Sequence, residues 1–324
     1  MDDSVAPLFE PITQYQPKTI HPSGSLRLDI ALGIGGMPGG TIIEINAPEA
    51  GGKTTLAFHL IAEAQKSGGV CAFIDSDRAF DPCYARRCGV QVEQLYFSQP
   101  EHAEQAYTIV ETLTSSGAFS VVVLDSLNSL VPYHELSSLF DEPAGISGAD
   151  QLETEPDLLA CSLRKLSFML HRSDTVVLFT SRRDRRMSSI YHQLAIHPSR
   201  LALKLHASIR LRLSHLSNLI FNEKVIGARI RVRVIKNKFA PCLQPTDFDI
   251  IYNQGLDKTG EVLDLGVRCK LIQQKNNGVY FHTKRLGETA SETICFLNRN
   301  ILVRNEIEKA IRQHLVPDLH TAAT

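Results

Sequence analysis

Asn46-Ala47-Pro48-Glu49-Ala50-Gly51-Gly52-Lys53-Thr54-Thr55 decides the fold, because it joins an apolar β-branched run, TIIEI (41–45), to a stretch of helical period. Apolar residues at 56, 57, 60 and 61 mark that stretch as a helix from Thr54 to Lys66. A triphosphate asks for inward-pointing backbone N–H groups, a helix N-terminus and an ammonium at its β/γ oxygens. Gly51 and Gly52 let the backbone come close, Lys53 brings the ammonium, and Thr54 offers a hydroxyl to Mg²⁺. The pattern G-x-x-x-x-G-K-[ST] is met except at its first glycine, where Ala47 stands. The expectation is a nucleotide-binding loop between a strand and a helix.

The same texture spreads outward from the loop. GVCAFID (69–75), SVVVLDS (120–126) and TVVLFTS (175–181) are continuous β-branched runs separated by helical segments. Such runs describe an α/β fold with a mostly parallel sheet covered on both faces. Past residue 205 the pattern changes: ASIRLRL (207–213) and ARIRVRVIK (228–236) alternate apolar and basic residues, as antiparallel strands with one solvated face do. Residues 1–22, with prolines at 7, 11, 17 and 22, read as an extended leader before a core of 23–256. Residues 257–324 read as a small mixed α/β domain ending in a helix, NEIEKAIRQHL (305–315).

Composition narrows the setting. Of 324 residues 43% are hydrophobic, enough for a large core, and the net charge of -1 leaves any nucleic-acid signal to be local. Seven cysteines without a C-x-x-C pair suit reduced thiols rather than a disulfide framework. The acidic N-terminus does not resemble a signal peptide, and no stretch reaches the ~18 apolar residues of a membrane helix. A soluble, cytoplasmic protein without membrane partners is expected.

Further chemistry lies at the strand ends. Asp125 closes VVVLD, where a carboxylate orients the Mg²⁺ water shell, although a strand-ending Asp also caps helices. Asp75-Ser76-Asp77 ends the preceding run; it suits either a group polarising the attacking water or an Asx turn. Lys236-Asn237-Lys238 places cations at the end of a strand, for a phosphate or simply for solvent. Between 182 and 200, Arg182, Arg183, Arg185, Arg186 and Arg200 interleave with Met187, Ile190 and Tyr191. That mixture suits a single-stranded nucleic-acid backbone with apolar side chains between bases; a solvated basic loop is the alternative.

Taken together, these segments resemble the bacterial RecA recombinase family from about Ser23 to Leu315. GSLRLDIALGIGGMPGG (24–40), APEAGGKTTL (47–56), FIDSDRAFDPCYARRCGV (73–90) and SQPEHAEQA (98–106) carry the likeness. So do VVVLDS (121–126), LKLHASIRLRL (203–213), VIKNKFAPC (234–242) and YNQGLDKTGEVLDLGV (252–267). The resemblance implies a DNA-dependent ATPase that uses ATP and Mg²⁺, binds single-stranded DNA and self-associates or meets a RecA-type partner. It implies that Pro48, Glu49, Ala50, Gly51, Gly52, Lys53, Thr54 and Thr55 cradle the phosphates, and that Asp81, Tyr84 and Tyr252 hold the adenine. Asp125 matches the Mg²⁺ carboxylate, Asp77 the catalytic base and Arg182 the γ-phosphate sensor. Lys236 and Lys238 match lysines that reach a neighbour's ATP. Gly145 to Glu155 and Arg183 to Ser199 match two DNA-binding loops, with Arg164 and Arg186 at basic positions near DNA.

The departures from the pattern fall together. Asp77 stands where the family has Glu, one methylene longer, and Arg182 where it has Gln. Ser199-Arg200-Leu201 replaces Gly-Gly-Asn, and Leu205 an aromatic at the subunit interface. The first loop is longer and acidic, with Asp141, Glu142, Asp150, Glu153, Glu155 and Asp157. The proline-containing leader stands where the family has its N-terminal polymerisation helix, and the family's acidic tail is missing. Three readings follow: a recombinase promoting homologous strand exchange, a paralogue that binds ATP and assists repair without exchange, and a regulatory or transport P-loop ATPase. The segments after residue 200 favour the first two.

Overall fold

The computed structural model describes residues 19–137, 155–182, 198–242, 244–275 and 278–315, without the side chains of 155–157 and 198–200. In chain order the strands are β1 (Ile20–His21), β2 (Met37–Pro38), β3 (Thr41–Ala47), β4 (Val70–Asp75), β5 (Leu95–Ser98), β6 (Phe119–Asp125) and β7 (Val176–Arg182). They continue as β8 (Ile209–Phe221), β9 (Lys224–Asn237), β10 (Thr246–Ile251), β11 (Gly255–Leu256), β12 (Ile272–Lys275), β13 (Gly278–Phe281) and β14 (Lys284–Gly287). The helices are α1 (Leu26–Ala31), α2 (Lys53–Lys66), α3 (Pro82–Arg87), α4 (Ala103–Ser115) and α5 (Tyr133–Ser137). After them come α6 (Glu155–Leu170), α7 (Pro198–His206), α8 (Lys258–Arg268), α9 (Ala290–Arg299) and α10 (Ile301–Leu315).

One sheet has the order β11-β10-β9-β8-β3-β7-β6-β4-β5. From β8 to β5 all neighbours run parallel, whereas β8, β9, β10 and β11 pair antiparallel. The continuous apolar runs are buried on both faces because successive side chains point to opposite sides. Ile43, Ile45, Val121, Val123 and Leu178 pack with Leu56, Leu60 and Ile61 of α2. Ile42, Val122, Leu124, Val177 and Phe179 pack with Val110, Leu163 and Leu203 from α4, α6 and α7. The sandwich of helix, sheet and helix is the α/β architecture expected from the runs.

The alternating segments behave as expected, and extend further. Ile230, Val232 and Val234 of β9 are buried while Arg229, Arg231 and Arg233 face outward. Arg229 and Arg231 form two-pronged pairs with Asp249 and Asp247 on β10, at 2.7–3.0 Å. β8 runs on to Phe221, beyond the alternation that marks its start, and leaves Ile220 and Phe221 64–67% exposed.

Residues 258–315 build a three-stranded antiparallel sheet, β12-β13-β14, beside α8, α9 and α10. Their apolar residues form a third cluster, which Leu26 of α1 joins. Polar contacts tie this region to the rest: Lys258 to Glu63, Ser25 to Glu261 at 2.8 Å, and Arg312 to Asp29 at 2.7 Å. At the other end, β1 pairs with β2. The folded part therefore begins before residue 23, inside the expected leader; a two-residue strand beside Pro22 has no periodicity to announce it. Among the described residues no helix is long and apolar enough to cross a membrane.

Candidate nucleotide site at the strand ends

Parallel pairing brings the C-terminal ends of β3, β7, β6 and β4 to one edge, with Ala47 beside Arg182 and Asp125 beside Asp75. The loop 48–52 leaves that edge and turns into α2. It turns through left-handed backbone at Ala50 (φ 54°) and Gly52 (φ 83°), which glycine adopts without strain. A Cβ on Gly52 would lie 2.6 Å from Ile250 Cδ1, and one on Gly51 2.8 Å from Ala47 Cβ and Pro48 O. Both positions therefore need glycine. Gly52 caps α2 with no side-chain hydrogen bond, so the first-turn N–H groups stay available to an anion.

Lys53 Nζ donates to Pro48 O at 3.2 Å across the loop. Burial pushes its pKa down; Arg182 adds to this, while Asp125, Asp77 and Glu49 oppose it. A polyphosphate in the loop would reverse that pressure, because it stabilises the charged ammonium. Asp125 is buried, at 5% exposure. Its Oδ2 accepts a hydrogen bond from Thr54 Oγ1 at 2.5 Å and its Oδ1 one from Thr180 Oγ1. Burial raises its pKa, the two hydroxyls and the nearby Lys53 charge work against that and Asp77 adds to it; among the described residues no cation lies within ion-pair distance of it. A hydroxyl and a carboxylate side by side are hard oxygen donors suited to Mg²⁺. The glycine cradle, the ammonium and these two donors fit Mg·ATP.

The two acidic residues that end β4 separate into different places. Asp75 is buried and accepts from the N–H groups of Ala79 and Phe80 at 3.3 and 3.1 Å, and from Gln99 Nε2 at 2.9 Å. It shapes the loop. Asp77 is exposed, and its Oδ1 accepts from the hydroxyls of Ser126, at 2.9 Å, and Ser129. Arg182, at the end of β7, lies 3.8 Å from Glu49 Oε1, and its N–H donates to Asn128 Oδ1.

A cleft of about 220 Å³ opens beside the loop, lined by Gly51, Gly52, Thr55, Tyr84, Ile250 and Tyr252 among others. Tyr84 Oη lies 2.8 Å from Thr55 Oγ1. Asp81 does not line the cleft; its Oδ1 caps α3 through the N–H groups of Cys83 and Tyr84, at 2.8 and 3.0 Å. Lys236 also stands apart, donating at 2.8 and 3.0 Å to the carbonyls of Lys204 and Leu205 that close α7. The N–H of Lys238 bonds Ser208 O. Arg164 is exposed on α6, and its Nε donates to Ala160 O at 3.3 Å. Arg183, Arg185, Arg186, Met187, Ile190 and Tyr191 lie outside the described residues, as does the side chain of Arg200.

Sequence reasoning missed Ser126, Asn128, Ser129 and Thr180. Their signal was available: each is a polar residue within five positions of the last apolar residue of its run, Leu124 or Phe179, at the same edge as the phosphate loop.

The RecA N-terminal domain family model matches residues 9–257. The chain is 43% identical over 293 residues to Protein RecA of Roseiflexus castenholzii, covering 90% of this chain and 81% of that protein. It is 41% identical over 292 residues to Protein RecA of Nitrobacter winogradskyi, covering 90% and 79%. Among solved structures, the RadB recombinase matches with a TM-score of 0.53 at 20% identity, covering 73% of this chain and 98% of that one, a likeness of fold. Since the family match takes in every strand of the large sheet and not just the phosphate loop, the chain belongs to the RecA family.

Proposed function

We infer that this chain is an ATP-dependent DNA recombination and repair protein, a DNA-dependent ATPase that binds single-stranded DNA and promotes homologous strand exchange in the cytoplasm. Membership of the RecA family supports the activity. The observation that carries the site is the Thr54–Asp125 hydrogen bond beside Lys53, which sets a metal-binding pair against a phosphate-binding loop.

In this reading the loop Pro48–Thr55 holds the phosphates, Lys53 and Arg182 face their charge, and Thr54 and Asp125 hold Mg²⁺. When bound, Mg²⁺ neutralises phosphate charge. Tyr84 and Tyr252 flank the base. Asp77 accepts the proton of the water that attacks the γ-phosphorus, a role for which geometry comes before basicity. Asp81 acts on the adenine side through α3, whose N-terminus it caps. The basic segment from Arg183 to Arg200, with Arg164, takes the DNA backbone, and Met187, Ile190 and Tyr191 enter between bases. Lys236 and Lys238 reach a neighbouring subunit's ATP; Lys236 would exchange its two bonds to α7 carbonyls for phosphate. Residues 23–256 act as the ATPase core and 257–324 as an appended domain.

The test is ATP hydrolysis with and without single-stranded DNA, alongside joint-molecule formation between homologous substrates. Hydrolysis that rises with DNA and joint molecules that need ATP are expected. Hydrolysis indifferent to DNA, with no joint molecules, would overturn the reading.

A further inference from the structure

β6 lies between β7 and β4 in the sheet, so the turn that follows it faces both neighbours' ends at once. That turn, a single 3₁₀ turn at Leu127–Ser129, is laced to each side. Towards β4, Ser126 and Ser129 donate to the same oxygen of Asp77, Oδ1. The backbone is fastened in the same direction: Ser76 N–H donates to Asp125 O at 2.9 Å, and Ser76 Oγ to Ser126 O at 2.7 Å. Towards β7, Asn128 Oδ1 accepts the N–H of Arg182.

An exposed carboxylate would ordinarily rotate among rotamers and exchange its partners with water. Two hydroxyl donors on one oxygen hold the carboxylate in place, and among the described residues Oδ2 has no hydrogen-bond partner, so it stays open to a proton. Ser129 and Asn128 are exposed, and neither is needed to fill the core.

The geometry points to Ser126, Asn128 and Ser129 as positioning residues for ATP hydrolysis, with the two serines orienting the Asp77 carboxylate and Asn128 setting the backbone of Arg182. The inference rests on the reading of Asp77 as the proton acceptor. It explains how a carboxylate on a short side chain is delivered consistently: the turn after β6 supplies the rigidity that the side chain itself lacks. A group displaced by about 1 Å loses on the order of 10²-fold in rate, so a loosened one should lose less.

The experiment compares Asp77→Asn, Ser129→Ala, Ser129→Thr and Asn128→Ala in the full chain. DNA-stimulated hydrolysis, calorimetric Mg·ATP affinity and amide hydrogen exchange of the nucleotide-free protein are measured for each. Ser129→Ala is expected to lower kcat on the order of tenfold with KM and Mg·ATP affinity unchanged, and Ser129→Thr, which keeps the hydroxyl, to restore it. Asn128→Ala is expected to speed exchange of the Arg182 amide. If Asp77→Asn is inactive but Ser129→Ala keeps full kcat, the positioning role is overturned while Asp77 keeps its own. If Asp77→Asn retains hydrolysis, the reading of Asp77 fails, and the inference with it.

Discussion

Asp125 at the strand ends and Asp29 in the joint between α1 and α10 are both buried, at 5% and 0% exposure, and burial raises the pKa of both. Their company differs. Arg312 donates to Asp29 Oδ2 at 2.7 Å, and Ser23 N–H to its Oδ1 at 2.8 Å, so the charge is compensated permanently. Among the described residues the Asp125 side chain accepts only from the hydroxyls of Thr54 and Thr180, and Lys53 acts on its charge without a direct bond. A buried charge without a cation is costly. In the proposed function, that charge beside the phosphate loop is met by Mg²⁺ arriving with the nucleotide. Where the cation is built in, the carboxylate is a strut.

The largest effect should come from breaking the strut. Arg312→Met leaves Asp29 buried and unpaired, and should lower the unfolding free energy by about 3–5 kcal/mol in urea titration. Asp125→Asn should leave stability unchanged or slightly raised, because it removes a buried charge that has no directly bonded cation, while an amide can still accept from a threonine. A comparable loss in both variants would erase the distinction between the two carboxylates.

Glu261 sharpens the comparison from within the joint. It is buried, accepts from Ser25 Oγ and Arg27 N–H, and burial pushes its pKa up to about 7 from 4.5. A raised folded pKa favours the protonated form, so this contribution is complete below about pH 4.5 and is lost as pH rises through 7. The shift corresponds to stability on the order of 3 kcal/mol. Unfolding free energies measured across that window should fall with pH in the parent chain and vary less in Glu261→Gln. Equal slopes would contradict the assignment.

The smallest effect belongs to the exposed version of the strut. Arg229 meets Asp249 with two hydrogen bonds, but its side chain is 47% exposed. Solvent screening limits such a pair to about 0.2–1 kcal/mol, so Arg229→Ala should barely move the urea midpoint. A loss near that of Arg312→Met would show that burial is not what separates these pairs.

Much of this was legible in the sequence, and the rest was hidden for a definite reason. The phosphate loop reads directly because its strand, glycines, lysine and helix are contiguous, and the central strands read because burial on both faces writes itself as unbroken β-branched runs. The contacts of Asp77 with Ser129, of Thr180 with Asp125 and of Asn128 with Arg182 join residues more than fifty positions apart. They exist because parallel strands place their ends side by side, an adjacency set by strand order rather than by any local pattern. Asp81 was legible as part of the D-P-C-Y segment, but its capping of α3 follows from an Asp immediately before a proline-led helix. The ties of α1 to α8 and α10 span over two hundred residues and leave no trace in periodicity.

In the proposed function Asp125 is reserved for a metal that comes with the nucleotide. Calorimetric titration of ATP, with and without Mg²⁺, into the parent chain, Lys53→Ala and Asp125→Asn tests this directly. The parent should bind far more tightly with Mg²⁺, Lys53→Ala should bind under neither condition, and Asp125→Asn should lose the Mg²⁺ dependence while staying folded. An Asp125→Asn chain whose affinity responds to Mg²⁺ just as the parent's does would contradict the claim.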